Sequence, residues 1–140
     1  MASNFYNIGL LRLLNGSTTF TTDSVKGLIV DNTYTFNVSH EYVSDVSGEV
    51  SGTGYARFTL TGKTVELSAN TVRFDCANVL LDSVNTANAL AGVVIFEDTG
   101  IDSTSAVLGF FDIPVTTTDG SNVTLVVSSN GLFEVTNNIS

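Results

Sequence analysis

The chain has 140 residues, of which 43% are hydrophobic and 14% are charged, and its formal net charge is −9. This balance excludes a disordered chain, and the length fits one domain over residues 1–140. The negative charge repels phosphate backbones and anionic lipid headgroups, so we expect neither nucleic acid nor a membrane as a partner. A single cysteine excludes a disulfide framework within the chain.

The first predicted element is a short helix. Apolar side chains recur at helical spacing over residues 8–14, and Asn15-Gly16 is a typical helix end. Asn4 or Asn7 is the expected capping residue at its start. The alternative interpretation of this segment is an edge strand. Because the run is short and contains Arg12, we expect neither a signal peptide nor a membrane span here.

After the helix, the pattern changes to short strands separated by turn residues. Alternating or continuous apolar side chains predict strands at residues 25–30, 33–36, 55–60, 64–67, 71–76, 90–96, 106–113, 121–127 and 132–135. Residues 40–49 are expected to form a loop with a local turn. The almost entirely apolar run 90–96 predicts a strand buried on both faces, with 106–113 as its hairpin partner.

Two turn signals define the expected strand ends in the C-terminal half. Pro114, the only proline, is expected to end the strand that precedes it. Asn130-Gly131 is expected to form a two-residue turn between the last two strands. About eight short strands at intervals of about ten residues predict an all-β fold. We therefore expect a single β-sandwich or jelly-roll-like domain with a short N-terminal helix.

Few residues are candidates for catalysis or metal binding. His40, the only histidine, is expected on a surface loop, and Cys76 is expected in the core because it shares the apolar side of a strand with Val72 and Phe74. A Cys76–His40 thiol pair is the alternative. The loop 98–102 offers oxygen ligands without the spacing of a calcium loop, and a solvated hairpin tip is expected there.

Gly62-Lys63-Thr64 resembles the end of a phosphate-binding loop. The first glycine of that motif is missing, because position 57 is Arg, and a strand rather than a helix is predicted to follow. The chain also lacks Trp, which weakens glycosidase and lectin interpretations. We expect no enzymatic activity, no catalytic residue, no metal and no cofactor.

Four apolar residues are candidate contacts with another subunit or with a capsid. Adjacent side chains on a strand point to opposite faces, so Phe110 and Phe111 cannot both enter the same core, and Phe111 is the candidate contact. Phe5 and Tyr6, just before the predicted helix, are candidate anchors for a partner. Leu10, on the helix itself, completes the set.

Segments throughout the chain resemble a family of small virion proteins of tailed bacteriophages. The most specific is Glu49-Val50-Ser51-Gly52-Thr53-Gly54-Tyr55, within the block 42–56. Weaker similarity lies at residues 7–16, 25–30, 60–65, 94–100 and 131–134, and the match is poorest at 80–91. The resemblance implies a structural role as a capsid decoration (cement) protein on the virion exterior.

This resemblance also implies the partners. We expect the major capsid protein as the binding partner and a homo-oligomeric state, since symmetric lattice points favour cyclic symmetry. One alternative is a tail or head fibre module that binds host surface glycans. The other is an enzyme whose acidic residues or His40 converge in a pocket.

Overall fold

The computed structural model describes residues 3–137. Its elements in chain order are β1 (Ser3–Phe5), α1 (Asn7–Asn15), β2 (Val25–Val30), a 3-10 helix (Val43–Asp45), β3 (Gly52–Thr53), β4 (Phe58–Thr59), β5 (Thr64–Ser68), β6 (Thr71–Asp75), β7 (Val79–Leu81), β8 (Asn85–Thr86), β9 (Leu90–Glu97), β10 (Val107–Thr116), β11 (Val123–Leu125) and β12 (Phe133–Thr136). The expected all-β fold with a short N-terminal helix is confirmed. Among residues 3–137, no helix combines the length and hydrophobicity that crossing a bilayer requires.

A five-stranded antiparallel sheet forms the centre of the molecule, with the strand order β1-β10-β9-β2-β4. β9 lies between β2 and β10, in a register that pairs Val94 with Leu28 and with Phe110. Six of the eight β9 residues are buried. Because both faces of the central sheet are covered, side chains on both sides of β9 are buried. A continuous apolar run therefore suits this strand, as predicted from the sequence.

Smaller sheets cover the first face of the central sheet. These are a three-stranded sheet ordered β12-β6-β5 and a two-stranded sheet of β11 and β7. Their apolar side chains share one core with residues of β2, β9 and β10. Phe111 and Cys76 both lie in this core, and the stacked layers give the expected two-layered β architecture.

The irregular segment 31–50 covers the second face of the central sheet. Tyr34 and Val43 from this segment are buried together with Tyr6 and with sheet residues that include Phe110. Phe110 and Phe111 therefore do point to opposite faces, as expected. Both faces are covered by the chain itself, however, so both rings are buried.

Helix α1 ends where the sequence predicts but begins without the predicted cap. Gly16 follows the helix with a φ of 81°, the left-handed conformation that favours glycine. The residue at the N-cap position is Tyr6, and its side chain makes no capping hydrogen bond. Capping by Asn4 or Asn7 is therefore wrong, since Asn4 lies in β1 and Asn7 is the first helical residue.

Three predictions about strands differ from the structure for reasons of tertiary packing. Residues 33–36 form no strand, although Tyr34 is buried from within the irregular segment. Of the predicted strand 55–60, Phe58–Thr59 forms a strand that pairs with β2, and the Leu60 N–H donates to the Val25 carbonyl at 2.9 Å. Pro114 lies inside β10 rather than at its end. The pairing of β10 with β9 is interrupted between Asp112 and Thr116, so no ladder hydrogen bond needs the N–H that proline lacks.

The last two strands do not form the predicted hairpin. Gly131 has a φ of 83° and its N–H donates to the Ser128 carbonyl, so a turn is present. β11 pairs with β7, however, and β12 pairs with β6. The chain therefore turns at Asn130-Gly131 to reach a different sheet.

Candidate contact surfaces

The four sequence-predicted contact residues occupy different environments. Tyr6 is 0% exposed and Phe111 is 7% exposed, so the chain encloses both and neither offers a free surface to a partner. Phe5 is half-buried, with its ring centroid 4.9 Å from that of Phe133. Leu10 is half-buried on helix α1. Contact through Phe5 and Leu10 stays a prediction.

The outer side of helix α1 is an uncharged apolar surface. Leu11 is 55% exposed and Leu14 is 73% exposed. Leu10 lies four residues before Leu14 and therefore on the same side of the helix. The only charged residue of the helix is Arg12, which forms an ion pair with Glu97 at 3.1 Å. We define Leu10, Leu11 and Leu14 as the helix ridge.

Close contact with β10 fixes the position of the helix ridge. Gly9 is buried against the backbone of Leu108, and a Cβ at this position would overlap the Leu108 carbonyl. The Tyr6 N–H donates to the same carbonyl at 3.1 Å, and the Asn7 N–H donates to the Val38 carbonyl at 2.9 Å. The ridge is therefore presented on a rigid support.

A second apolar surface lies at one end of the three-stranded sheet. The register pairs Leu67 with Val72 and Val72 with Val135. Leu67 is 75% exposed and Val65 is 44% exposed, whereas Val72 and Val135 are partly buried against the core. We define Val65, Leu67, Val72 and Val135 as the sheet end. The sequence pattern predicts a strand here, but it carries no signal that the apolar side is left uncovered.

Each of the five cationic side chains contacts an acceptor within the chain. Four form ion pairs, and the Lys63 ammonium donates to the Asp23 carbonyl oxygen. The ion pairs are Arg12–Glu97, Lys26–Asp98, Arg57–Glu49, Arg57–Asp102 and Arg73–Glu134. Of the 14 acidic residues, all within the described part, five accept these pairs and nine stand outside them. Cations of the chain therefore neutralise only the smaller part of its negative charge.

Arg57 joins three segments of the chain. Its guanidinium contacts Glu49 at 2.8 Å and Asp102 at 2.7 Å and lies 5.6 Å from the centroid of the Phe96 ring. The Tyr55 hydroxyl donates to Glu49 at 2.7 Å. The hydrogen bonds from Arg57 lower the pKa of the Asp102 carboxyl. The cluster is a cross-link between loops.

The carboxylates of the loop 98–102 are also occupied by cations of the chain. Asp98 contacts Lys26 at 2.9 Å, and this hydrogen bond lowers the pKa of the Asp98 carboxyl. Asp102 contacts Arg57, as described above. Within residues 3–137, no three His, Cys, Asp or Glu side chains group closely enough to hold a metal ion.

His40 and Cys76 do not form a pair, because they belong to opposite faces of the central sheet. His40 Nδ1 lies 2.9 Å from the Tyr34 hydroxyl on the second face. Cys76 lies in the core of the first face, and burial raises the pKa of its thiol to about 11. This confirms the expected core position of Cys76, whereas His40 is half-buried rather than a free surface side chain.

The segment that resembles a phosphate-binding loop has the geometry expected of a strand connection. Lys63 is followed directly by β5, with no helix after it. A phosphate-binding loop needs a helix N-terminus to supply its N–H donors. The fold therefore excludes this motif as a nucleotide site.

A surface cavity of about 400 Å³ lies beside the C-terminal strands. Ser3, Phe111, Val126 and Glu134 are among the residues that line it. Its volume is in the range of small-molecule sites. The sequence contains no signal for this cavity, because its walls come from three distant segments.

Comparison with protein-family models, with curated proteins and with solved structures finds no significant match to this chain. The family resemblance noted in the sequence therefore has no independent support from these comparisons. What supports a function is the geometry of the surfaces described above together with that resemblance.

Proposed function

We propose that this chain is a structural protein of a bacteriophage virion, a decoration protein that binds the major capsid protein on the outside of the head. The resemblance to small virion proteins is one support. In this proposal the chain works by contact alone and performs no reaction. Several copies act together, because many weak symmetric contacts combine into a stable shell.

The observation that carries this proposal is the helix ridge. Three leucines on a rigidly supported helix form an uncharged surface on a protein whose net charge is −9. Adjacent exposed apolar side chains favour contact with another protein, because that contact removes them from water. Burying one leucine side chain there contributes about 1.5–3 kcal/mol to binding. Repeated at every capsid site, this contribution holds the shell together.

The test is the structure of virions that carry this chain, determined by cryo-electron microscopy. We expect density for the chain on the outer shell, with the helix ridge against the major capsid protein. Leu14→Ser should weaken binding to the shell about tenfold or more. Leu80→Ser is the matched control, because Leu80 is 58% exposed but lies on β7. Absence of the chain from the shell overturns the proposal.

The surface cavity favours one alternative, a fibre module that binds host glycans. It combines the polar side chains of Ser3, Ser128 and Glu134 with the apolar Val126. A glycan array separates the two functions. Saturable binding of one glycan that Glu134→Gln abolishes would support the fibre module and contradict the decoration protein.

A further inference from the structure

β5 is an edge strand whose apolar side leaves the core. It pairs with β6 and with no other strand of residues 3–137. Val65 lies opposite the buried Phe74, and Leu67 lies opposite the half-buried Val72. The apolar face of the sheet therefore begins inside the molecule and continues outward onto β5, where Val65 and Leu67 are exposed. An exposed edge of this kind is a template for an added strand.

The polar face of the same sheet has an incomplete row of charges. Glu66 on β5 lies opposite Arg73 on β6, and Arg73 lies opposite Glu134 on β12. Arg73 forms its ion pair with Glu134, at 3.4 Å. One cation thus stands between two carboxylates, and the row ends at the open edge on a negative charge.

We propose that the β5 edge binds an extended segment of a partner protein that reads apolar–basic–apolar. The segment adds as an antiparallel strand, because antiparallel pairing continues the existing sheet. Its basic side chain lies opposite Glu66 and completes the alternating charge row. Its two apolar side chains lie on the other face and cover Val65 and Leu67. Opposite charges directly opposite each other on facing strands stabilise a sheet.

A second copy of this chain is a poor occupant of the same edge. Antiparallel pairing of two β5 strands over all five residues places Val65 opposite Leu67 but also Glu66 opposite Glu66. Like charges directly opposite each other destabilise a sheet. A shift of two residues avoids this pair but leaves only three of the five residues overlapping. Each copy also brings a net charge of −9.

The net charge of the molecule also favours a basic partner segment. Each of the five Lys and Arg side chains lies against an acceptor of the chain, and within residues 3–137 nine carboxylates lie outside ion pairs. The field around the protein therefore attracts a basic segment and repels an acidic one. Binding of a basic segment at the sheet end does not require that the helix ridge contacts a capsid.

The test uses isotope-labelled full-length protein and two short synthetic peptides, followed by nuclear magnetic resonance. One peptide has a valine–lysine–leucine centre between threonines, and the other has glutamate in place of the lysine. We expect the lysine peptide to shift the amide resonances of Thr64–Ser68 and to bind about tenfold more tightly than the glutamate peptide. The difference should shrink in about 1 M salt, where charges are screened within about 3 Å.

Two variants test the roles of the charge row and the apolar side. Glu66→Lys should reverse the preference, so that the glutamate peptide binds more tightly than the lysine peptide. Leu67→Ser should weaken both peptides alike. Val115→Ser is the matched control, because Val115 is 65% exposed but lies on β10, and this variant should bind as the parent protein does.

Three results would overturn the inference. The first is equal binding of both peptides or resonance shifts confined to other elements. The second is no binding of either peptide at millimolar concentration. The third is self-association that Leu67→Ser abolishes, which would make a second copy the occupant. Peptide binding at β5 in a protein that is absent from the virion shell would leave this inference intact while the proposed function fails.

Discussion

The two faces of the central sheet are covered in different ways. The first face is covered by strands, and the Phe133 ring of β12 lies directly on the backbone of Gly109 there. The second face is covered by the irregular segment 31–50, which is held by hydrogen bonds of polar side chains as well as by apolar contact. The layer over the first face is therefore ordered by regular strand pairing, whereas the segment over the second face is ordered by hydrogen bonds of individual side chains.

Asp31 shows why the second face needs such anchors. An irregular segment has no strand ladder to pair its backbone groups, so other acceptors and donors must do so. The Asp31 carboxylate accepts hydrogen bonds from the Thr33 N–H at 2.9 Å and from the Asn88 amide at 2.9 Å, although the residue is 6% exposed. The backbone N–H of Asp31 in turn donates to the Gly48 carbonyl. Asp31 therefore joins two parts of the irregular segment to each other and to Asn88, which lies between β8 and β9.

The largest predicted effect is on the first face. Phe133→Ala removes a ring that is 3% exposed and lies against Gly109, and it should lower the free energy of unfolding by about 3–5 kcal/mol. Urea denaturation measures this change. Phe36→Ala, on the half-buried ring of the irregular segment, should cost clearly less. Equal losses for the two variants would mean that both faces are packed alike.

The second prediction concerns Asp31 and pH. Hydrogen bonds from Thr33 lower the pKa of the Asp31 carboxyl below its ordinary value of about 3.9. The stabilisation is therefore present above about pH 4 and is lost as the pH falls through the folded-state pKa. Asp31→Asn should lower the free energy of unfolding by about 1–3 kcal/mol at neutral pH, measured in urea. The difference from the parent protein should shrink in acid.

Asp119→Asn is the control for this pH dependence. Asp119 makes the same local contact, accepting the N–H two residues onward at 3.0 Å, but its side chain is exposed. The hydrogen bonds from Ser121 also lower the pKa of the Asp119 carboxyl, but because this side chain is exposed, its replacement should change the free energy of unfolding clearly less than that of Asp31. A loss at Asp119 equal to that at Asp31 would show that the local turn, and not the buried anchor, sets the stability.

The sequence predicts the first face better than the second, because the first face is covered by regular strands and the second by an irregular segment. Regular strands leave a periodic pattern in the sequence. The positions of the strands and the burial of their side chains can therefore be predicted from the run 90–96 and from the alternation of Val72, Phe74 and Cys76. Tyr34 and Phe36 alternate in the same way, but they reach the sheet from an irregular segment. Alternating burial without a ladder is indistinguishable in sequence from a strand.

The contact surfaces were accessible to sequence reasoning only in part. Helical spacing predicts α1 and places Leu10 on it. Which leucines stay exposed depends on how Gly9 packs against the backbone of Leu108. Strand partners are equally non-local, which is why Asn130-Gly131 predicts a turn but not that β12 pairs with β6. The uncovered side of β5 follows from that same pairing.

The smallest predicted effect tests whether hydroxyl groups order the second face. The Tyr34 hydroxyl lies 2.7 Å from the Tyr6 hydroxyl and 2.9 Å from His40 Nδ1. All three groups are satisfied when Tyr6 donates to Tyr34 and Tyr34 donates to His40. Tyr34→Phe leaves the Tyr6 hydroxyl, on a residue that is 0% exposed, without this partner. We expect a loss of about 1–2 kcal/mol in the free energy of unfolding.

Tyr6→Phe and the double variant complete this test. Tyr6→Phe should cost less than Tyr34→Phe, because the Tyr34 hydroxyl keeps His40 as its acceptor. The double variant should cost less than the sum of the two, since removing both hydroxyls together leaves neither tyrosine hydroxyl without the other as its partner. Additive losses would show that the hydroxyls act independently. In that case the hydrogen bond between the two hydroxyls would not be what orders the irregular segment, and its order would rest on the Asp31 hydrogen bonds and on apolar packing.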